Sequence, residues 1–129
     1  MDVDVATVLA SLVLAPVIAL VVHELAHALA AFSLRATAVR IQWGTTARVI
    51  ADLPDITRAR VAFFAAGAVA NVVVGVACIA VGKAFAPPIG SSIAIVGAVN
   101  VLFALVCACG SDGREVVRSI RNDDRGSVR

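Results

Sequence analysis

The longest apolar stretch of the chain, residues 5–34, reads VATVLASLVLAPVIALVVHELAHALAAFSL. A helix needs about 20 mostly apolar residues to cross the hydrocarbon core of a bilayer, and this stretch is longer than that. Two further apolar stretches, residues 61–81 and 89–109, also reach that length. Together they predict an all-α integral membrane fold with a core of three transmembrane helices.

The composition also favours a membrane protein. Of 129 residues, 60% are hydrophobic and 16% are charged, against about 45–50% and 25% in an ordinary soluble domain. The alternative is an unusually apolar soluble helical bundle. It is disfavoured because small soluble domains bury the smallest fraction of their surface, so a soluble domain of this size could not bury this much apolar surface. We expect a single domain over residues 1–121 and a flexible tail over residues 122–129.

The basic residues predict an orientation. Of the 11 Lys and Arg residues, only Lys83 falls between the second and third spans; the others lie on the opposite side. The positive-inside rule then places the N-terminus outside and the C-terminus in the cytoplasm. A minimal chain of this kind suggests a bacterial cell membrane. The basic residues on the cytoplasmic side are Arg35, Arg40, Arg48, Arg58, Arg60, Arg114, Arg118, Arg121, Arg125 and Arg129.

The connection between the first two spans has a strand pattern. Residues 39–43 alternate apolar and polar side chains, residues 44–46 (Gly-Thr-Thr) suit a turn, and residues 47–50 suit a returning strand. This pattern predicts a short membrane-associated β-hairpin with Trp43 as an interfacial anchor. An irregular loop remains the alternative.

Other signals concern the ends of helices. Asp55 is placed to cap the helix of the second span. Residues 87–90 (Pro-Pro-Ile-Gly) predict a tight turn between the second and third spans. Residues 114–120 predict a short amphipathic surface helix.

The first span contains His23-Glu24-Leu25-Ala26-His27, an HExxH pattern. Side chains four residues apart lie on one helix face, so both imidazoles can reach a single zinc ion. Glu24 suits a general base, because zinc makes water reactive at neutral pH. The alternative is a pair of core histidines hydrogen-bonded to Glu24. It is disfavoured because an ionisable group within a membrane costs about 2.5–3.5 kcal/mol on insertion scales.

Zinc needs a third protein ligand, and two carboxylates follow the third span. We prefer Asp112 to Glu115, because Asp112 comes directly after the apolar run. Gly110 and Gly113 flank it and would let the backbone turn the carboxylate inward. The alternative for Asp112 is a solvated carboxylate at a helix end.

The remaining polar and sulfur-containing residues of the spans have less specific interpretations. Asn71 is the only strongly polar residue of the second span and should face the bundle interior. Its amide would there contact the substrate backbone or a developing oxyanion. An interhelical hydrogen bond is the alternative for Asn71 and the preferred interpretation for Asn100. Cys78, Cys107 and Cys109 lie in or at the end of apolar runs and are expected to act as small apolar residues.

Three motifs together resemble the site-2 protease family of intramembrane zinc metalloproteases. HELAH matches the HExxH of the family, and residues 66–71 (AGAVAN) are similar to its A-G-P-x-x-N motif. Residues 104–113 (ALVCACGSDG) can be aligned with N-x-x-P-x-x-x-L-D-G, whose Asp and Gly are retained as Asp112 and Gly113. The chain departs from the usual residues at Ala68, Ala104 and Cys107. The resemblance covers residues 10–115 approximately.

The resemblance implies roles for particular residues. His23, His27 and Asp112 would be the zinc ligands, Glu24 the catalytic base and Asn71 a substrate contact. The predicted hairpin would correspond to the membrane-associated hairpin of the family, which pairs with an unwound substrate strand. The chain would be a minimal form without a PDZ or CBS module.

The predicted function is that of a zinc metalloendopeptidase that cleaves transmembrane segments of other membrane proteins, as in regulated intramembrane proteolysis. Its partners would be a transmembrane substrate and the lipid bilayer, with no nucleic acid. The first alternative is a non-proteolytic zinc-binding membrane protein that binds or regulates transmembrane partners. A zinc-handling transporter subunit is a weaker alternative, because three spans offer little sign of a continuous polar path.

Overall fold

The computed structural model describes residues 5–44, 47–54 and 56–126. Three of its helices are long and apolar enough to cross a membrane, so the predicted helical architecture is confirmed. The elements, in chain order, are α1 (Val5–Ser33), β1 (Ala38–Trp43), β2 (Ala47–Asp52), α2 (Thr57–Gly82), α3 (Ile89–Cys109) and α4 (Ser111–Gly126).

Apart from Phe63 of α2, the long helices bury small and polar residues, and most of their exposed residues are large and apolar. In α1 the exposed residues include Leu9, Val13, Val21 and Leu25. A four-residue spacing keeps the buried positions on one face, where small residues allow close approach of neighbouring helices. This pattern is the reverse of a soluble bundle and suits a lipid environment. The buried residues of α1 are Ser11, Ala15, Ala19, His23, His27 and Ala31.

Glycines bring α2 and α3 into close contact. A Cβ atom on Gly75 would lie 2.7 Å from the carbonyl oxygen of Gly97, and a Cβ on Gly97 would lie 2.6 Å from that of Gly75. Any larger residue would push the two backbones apart. Gly75 and Gly97 are therefore close-packing positions of the α2–α3 interface.

The connection between α1 and α2 is an antiparallel hairpin, so the hairpin prediction is confirmed over the irregular loop. Its register runs from the pair Ala38–Asp52 to the pair Trp43–Ala47, and the predicted turn residues 45 and 46 lie outside the described residues. Val49 of β2 packs with Ala31 and Phe63 in a small apolar cluster. This cluster holds β2 against α1 and α2.

The helix ends differ in part from the predictions. α2 begins at Thr57, four residues before the predicted apolar span, and Ile56 occupies its N-cap position without a side-chain hydrogen bond. The prediction of Asp55 as the cap was therefore wrong; Asp55 itself lies outside the described residues. The surface helix predicted at residues 114–120 is confirmed, and α4 extends it to Gly126, into the segment expected to be flexible.

Candidate metal centre

Two imidazoles of α1 form the base of the site. The rings of His23 and His27 lie one helical turn apart, and their Nε2 atoms are 3.1 Å from each other. Each residue is only 4% exposed. The i,i+4 spacing of HExxH thus produces the convergence of imidazoles that the sequence predicted.

Asp112 completes a triangle with the two histidines. Its Oδ2 atom is 2.9 Å from Nε2 of His23 and 3.5 Å from Nε2 of His27. In a tetrahedral zinc site with metal–ligand distances of about 2.0–2.1 Å, neighbouring ligand atoms lie about 3.3 Å apart. The three donor atoms therefore have the spacing that one tetrahedral ion requires, and this donor set fits zinc.

The contacts within the triangle favour the ionised form of Asp112. Burial by itself raises the pKa of Asp112, but hydrogen bonds and charge interactions with His23 and His27 outweigh it and hold that pKa well below its usual range. Asp112 is thus ionised at neutral pH. Its second oxygen, Oδ1, accepts a hydrogen bond from the Ser111 hydroxyl at 3.3 Å, which leaves Oδ2 directed at the imidazoles.

The position of Asp112 depends on a close contact at the start of α4. Gly110 ends α3, and α4 then begins with Ser111. A Cβ on Gly113 would overlap the carbonyl oxygen of Ala108. Glycine at position 113 therefore lets the first turn of α4 lie against the end of α3, where Asp112 faces α1.

One face of α2 fixes the rings from the other side. Nδ1 of His27 lies 2.8 Å from the Phe63 carbonyl oxygen. A carbonyl only accepts, so Nδ1 carries a proton, and a neutral His27 would have the lone pair of Nε2 available to a metal. One turn further along, Gly67 lies directly against the His23 ring, and an added Cβ would be 2.5 Å from Nδ1.

Asn71 is the next residue on this face of α2, again four positions on. It is fully buried, and its Nδ2 lies 3.5 Å from Nδ1 of His23. Its Oδ1 has no hydrogen-bond partner among the described residues. A half-turn of the amide would let Oδ1 accept a hydrogen bond from Nδ1–H and leave Nε2 of His23 free to bind a metal. The structure thus places Asn71 behind a predicted ligand; its role as a substrate contact stays a prediction.

Glu24 connects the site to the hairpin. The backbone N–H of Val49 in β2 donates a hydrogen bond of 2.6 Å to Oε2 of Glu24. Because α1 carries Glu24 next to His23, this contact holds β2 beside the histidine pair. The predicted general base and the predicted substrate-pairing strand are therefore in direct contact.

The histidines, Glu24 and Asp112 line a common cavity of ≈ 500 Å³. Its walls are mainly apolar side chains of α1, α2 and α3, and a few polar groups converge at the histidines. A mostly apolar cleft with a few convergent polar groups is typical of a binding or catalytic site. The apolar lining residues are Pro16, Val17, Leu20, Val49, Phe63, Phe64 and Phe103.

The sequence interpretation missed one residue of the site. Cys107, expected to be merely a small apolar residue, contributes a sulfur to a cluster with His23 and Asp112 in which the potential ligand atoms all lie within 4.8 Å of one another. Its signal in the sequence is weak: a thiol five residues before Asp112. In the structure, Phe103, one turn before Cys107, packs its ring edge-on against His23. Cys107 also stands where the aligned motif usually has proline.

Comparisons with models of protein families, with curated proteins and with solved structures find no match for this chain.

Proposed function

We propose that the chain is an intramembrane zinc metalloendopeptidase of the site-2 protease type, which hydrolyses a peptide bond in a transmembrane segment of another protein. The observation that carries the proposal is the triangle of His23, His27 and Asp112, with edges of 2.9–3.5 Å. Two neutral imidazoles and one carboxylate are a common ligand set of catalytic zinc, which leaves one position open for water or substrate.

The proposed setting is a bilayer crossed by α1, α2 and α3. Large apolar side chains cover the outer surface of these helices, whereas the polar triangle lies inside. Burying these groups in lipid costs free energy that a bound divalent cation would offset. The positive-inside rule supports a cytoplasmic hairpin and α4, because ten of the 11 basic residues lie at those ends.

The residues would divide the catalytic work as follows. Zinc, when bound, polarises the scissile carbonyl and activates water. The Glu24 carboxylate accepts a proton from the attacking water and later returns it to the leaving amine. Phe63 and Asn71 hold the outer nitrogens of the two imidazoles, so that both Nε2 atoms stay directed at one point.

The hairpin supports a role in substrate binding. Peptide bonds in a transmembrane helix are hydrogen-bonded and shielded, so the substrate must unwind before it is attacked. An unwound segment can pair with an exposed strand edge. β2 lies beside Glu24 through the Val49 hydrogen bond, so a segment paired there would reach the base and the metal centre together.

Metal content tests the centre itself. We expect about one zinc ion per chain in purified wild-type protein, and less than a tenth of that in His23→Ala and Asp112→Ala. Glu115→Ala is the matched control, because Glu115 lines the same cavity but is not part of the triangle. Equal zinc in all four proteins would contradict the assigned ligands.

Cleavage tests the reaction. Candidate single-span substrates would be co-expressed with wild type and with Glu24→Gln, which keeps the size of the side chain but cannot act as a base. We expect product fragments with wild type only and equal zinc content in both proteins. Zinc binding without fragments from any substrate would favour the non-proteolytic zinc-binding protein instead.

A further inference from the structure

We propose that Cys107 is a fourth, displaceable ligand of the metal centre, so that the resting site is closed by a thiolate. This inference rests on the proposed function, because it concerns the same metal. It adds a ligand that the resemblance does not supply, since proline is usual at this position.

The Cys107 side chain points into the cavity of the site. Phe103 and Cys107 are one turn apart and share a face of α3. The Phe103 ring lies 5.7 Å from the His23 ring, centroid to centroid, and both α3 residues line the cavity of the site. The thiol therefore faces the histidines.

The Cys107 sulfur also lies close to the potential ligand atoms of His23 and Asp112. The sulfur of Cys107, a ring nitrogen of His23 and a carboxylate oxygen of Asp112 lie within 4.8 Å of one another. With a zinc–sulfur bond of about 2.3 Å, a tetrahedral site places sulfur about 3.5 Å from its neighbouring ligand atoms. Rotation of the Cys107 side chain would bring the sulfur closer to these ligand atoms.

Cys107 would be held less firmly than the other three ligands, so a water or a substrate could displace it. The two imidazoles and the carboxylate lie 2.9–3.5 Å apart, whereas the group that includes the sulfur is defined only within 4.8 Å. Cys107 also belongs to the last turn of α3, which ends at Cys109. Sites with four protein ligands are structural and closed, whereas catalytic sites keep one position open. A loosely placed fourth ligand would let one site change between these states.

The chemistry balances without any oxidant or reductant. When the metal binds, the S–H bond of Cys107 breaks, a sulfur–metal bond forms and one proton is released to solvent. If water or a substrate carbonyl took the fourth position, the thiolate would leave and take up a proton from solvent. The metal keeps its oxidation state throughout.

Cobalt substitution tests the ligand directly. Full-length protein in detergent would be loaded with Co²⁺, and its near-ultraviolet spectrum would be recorded together with its bound cobalt. We expect a thiolate-to-cobalt charge-transfer band in wild type. Cys109→Ala is the matched control and should keep the band, because Cys109 does not line the cavity. Cys107→Ala should lose the band while it still binds cobalt.

The outcomes separate this inference from the proposed function. Wild-type protein that binds cobalt through His23, His27 and Asp112 but shows no charge-transfer band would overturn the thiolate ligand and leave the protease proposal standing. Wild-type protein that binds no cobalt would overturn the metal centre and this inference together.

Substrate cleavage tests whether the thiolate is displaceable. We expect Cys107→Ala to cleave a co-expressed substrate about two- to tenfold faster than wild type, because the fourth position is then open at rest. Cys109→Ala should match wild type. An unchanged or slower rate for Cys107→Ala would contradict a closed resting site.

Discussion

His27 and Asp112 direct ligand atoms at the same point, yet the protein holds them in different ways. His27 lies in the middle of α1, is 4% exposed, and has its outer nitrogen bound to a carbonyl of α2. Asp112 lies in the first turn of α4, and its side chain is 18% exposed. One half of the site is therefore part of the packed bundle, and the other half is placed by a peripheral helix.

This difference indicates which half of the site can move while the protein stays folded. A histidine cannot leave its position unless α1 and α2 separate, because Gly67 and Asn71 enclose the ring of His23. α4 lies outside the three long helices and packs against α2 and α3, and the Asp112 side chain is more exposed than either histidine. We therefore expect mutations on the histidine side to affect both stability and metal binding, and mutations on the Asp112 side to affect metal binding alone.

The largest effect is expected for Gly67→Ala, because the added Cβ would lie 2.5 Å from Nδ1 of the buried His23 ring. We predict a loss of about 1–3 kcal/mol in stability from overpacking and a loss of zinc affinity of at least 100-fold. Thermal unfolding in detergent and zinc titration would measure the two.

Gly75→Ala is the matched control for this substitution. Its Cβ would lie 2.7 Å from the Gly97 carbonyl oxygen, so it crowds the α2–α3 interface without touching a ligand. We expect a similar loss of stability with zinc affinity within about threefold of wild type. Equal losses of zinc affinity in the two variants would show that general bundle packing, rather than the His23 contact, controls the site.

A smaller effect on the whole protein is expected for Gly113→Ala. The added Cβ would overlap the Ala108 carbonyl oxygen, so α4 must move and carry Asp112 with it. We predict a loss of zinc affinity of about 100-fold with an unfolding temperature close to that of wild type. Val117→Ala, on the exposed side of α4, should leave both unchanged. A Gly113→Ala protein with normal zinc affinity would mean that Asp112 is not a ligand.

Asn71→Ala and Asn100→Ala compare two fully buried asparagines. The Asn71 amide contacts His23, whereas the Asn100 amide donates to the Val96 carbonyl of its own helix. Loss of a group that orients a ligand typically costs 10–100-fold in metal affinity. We expect such a loss for Asn71→Ala, and less than a threefold change for Asn100→Ala. Equal zinc affinities of the two variants would mean that Asn71 does not orient His23 for metal binding.

The smallest effect is expected for Arg118→Ala. Arg118 forms a 2.7 Å ion pair with Glu115 on α4, and its side chain is 71% exposed. Exposed ion pairs contribute only about 0.2–1 kcal/mol. We predict zinc affinity within twofold of wild type, measured by competition with a chelator. A tenfold loss would show that surface charge on α4, rather than the Gly113 contact, positions Asp112.

The structure confirms the parts of the prediction that depend on local periodicity. The three apolar runs became three long helices, and the alternation at residues 39–43 became β1. The pairing of His23 with His27 also follows from local geometry, because every α-helix places residues i and i+4 on one face. The N-cap of α2 was predicted incorrectly, since helix starts depend on a few backbone angles that composition does not specify.

The sequence by itself determined that two imidazoles meet on one apolar helix, because the spacing in HELAH and the helical repeat leave no other arrangement. The tertiary structure alone decided that Asp112, Cys107 and Asn71 converge on those imidazoles. These three residues lie between 44 and 89 positions away along the chain. Their meeting depends on how closely α2 and α3 pack against α1, and on how α4 packs against α2 and α3. Glycines such as Gly67 and Gly113 allow that close packing. Their importance is visible only in the structure, which shows the atoms that a Cβ at each position would meet.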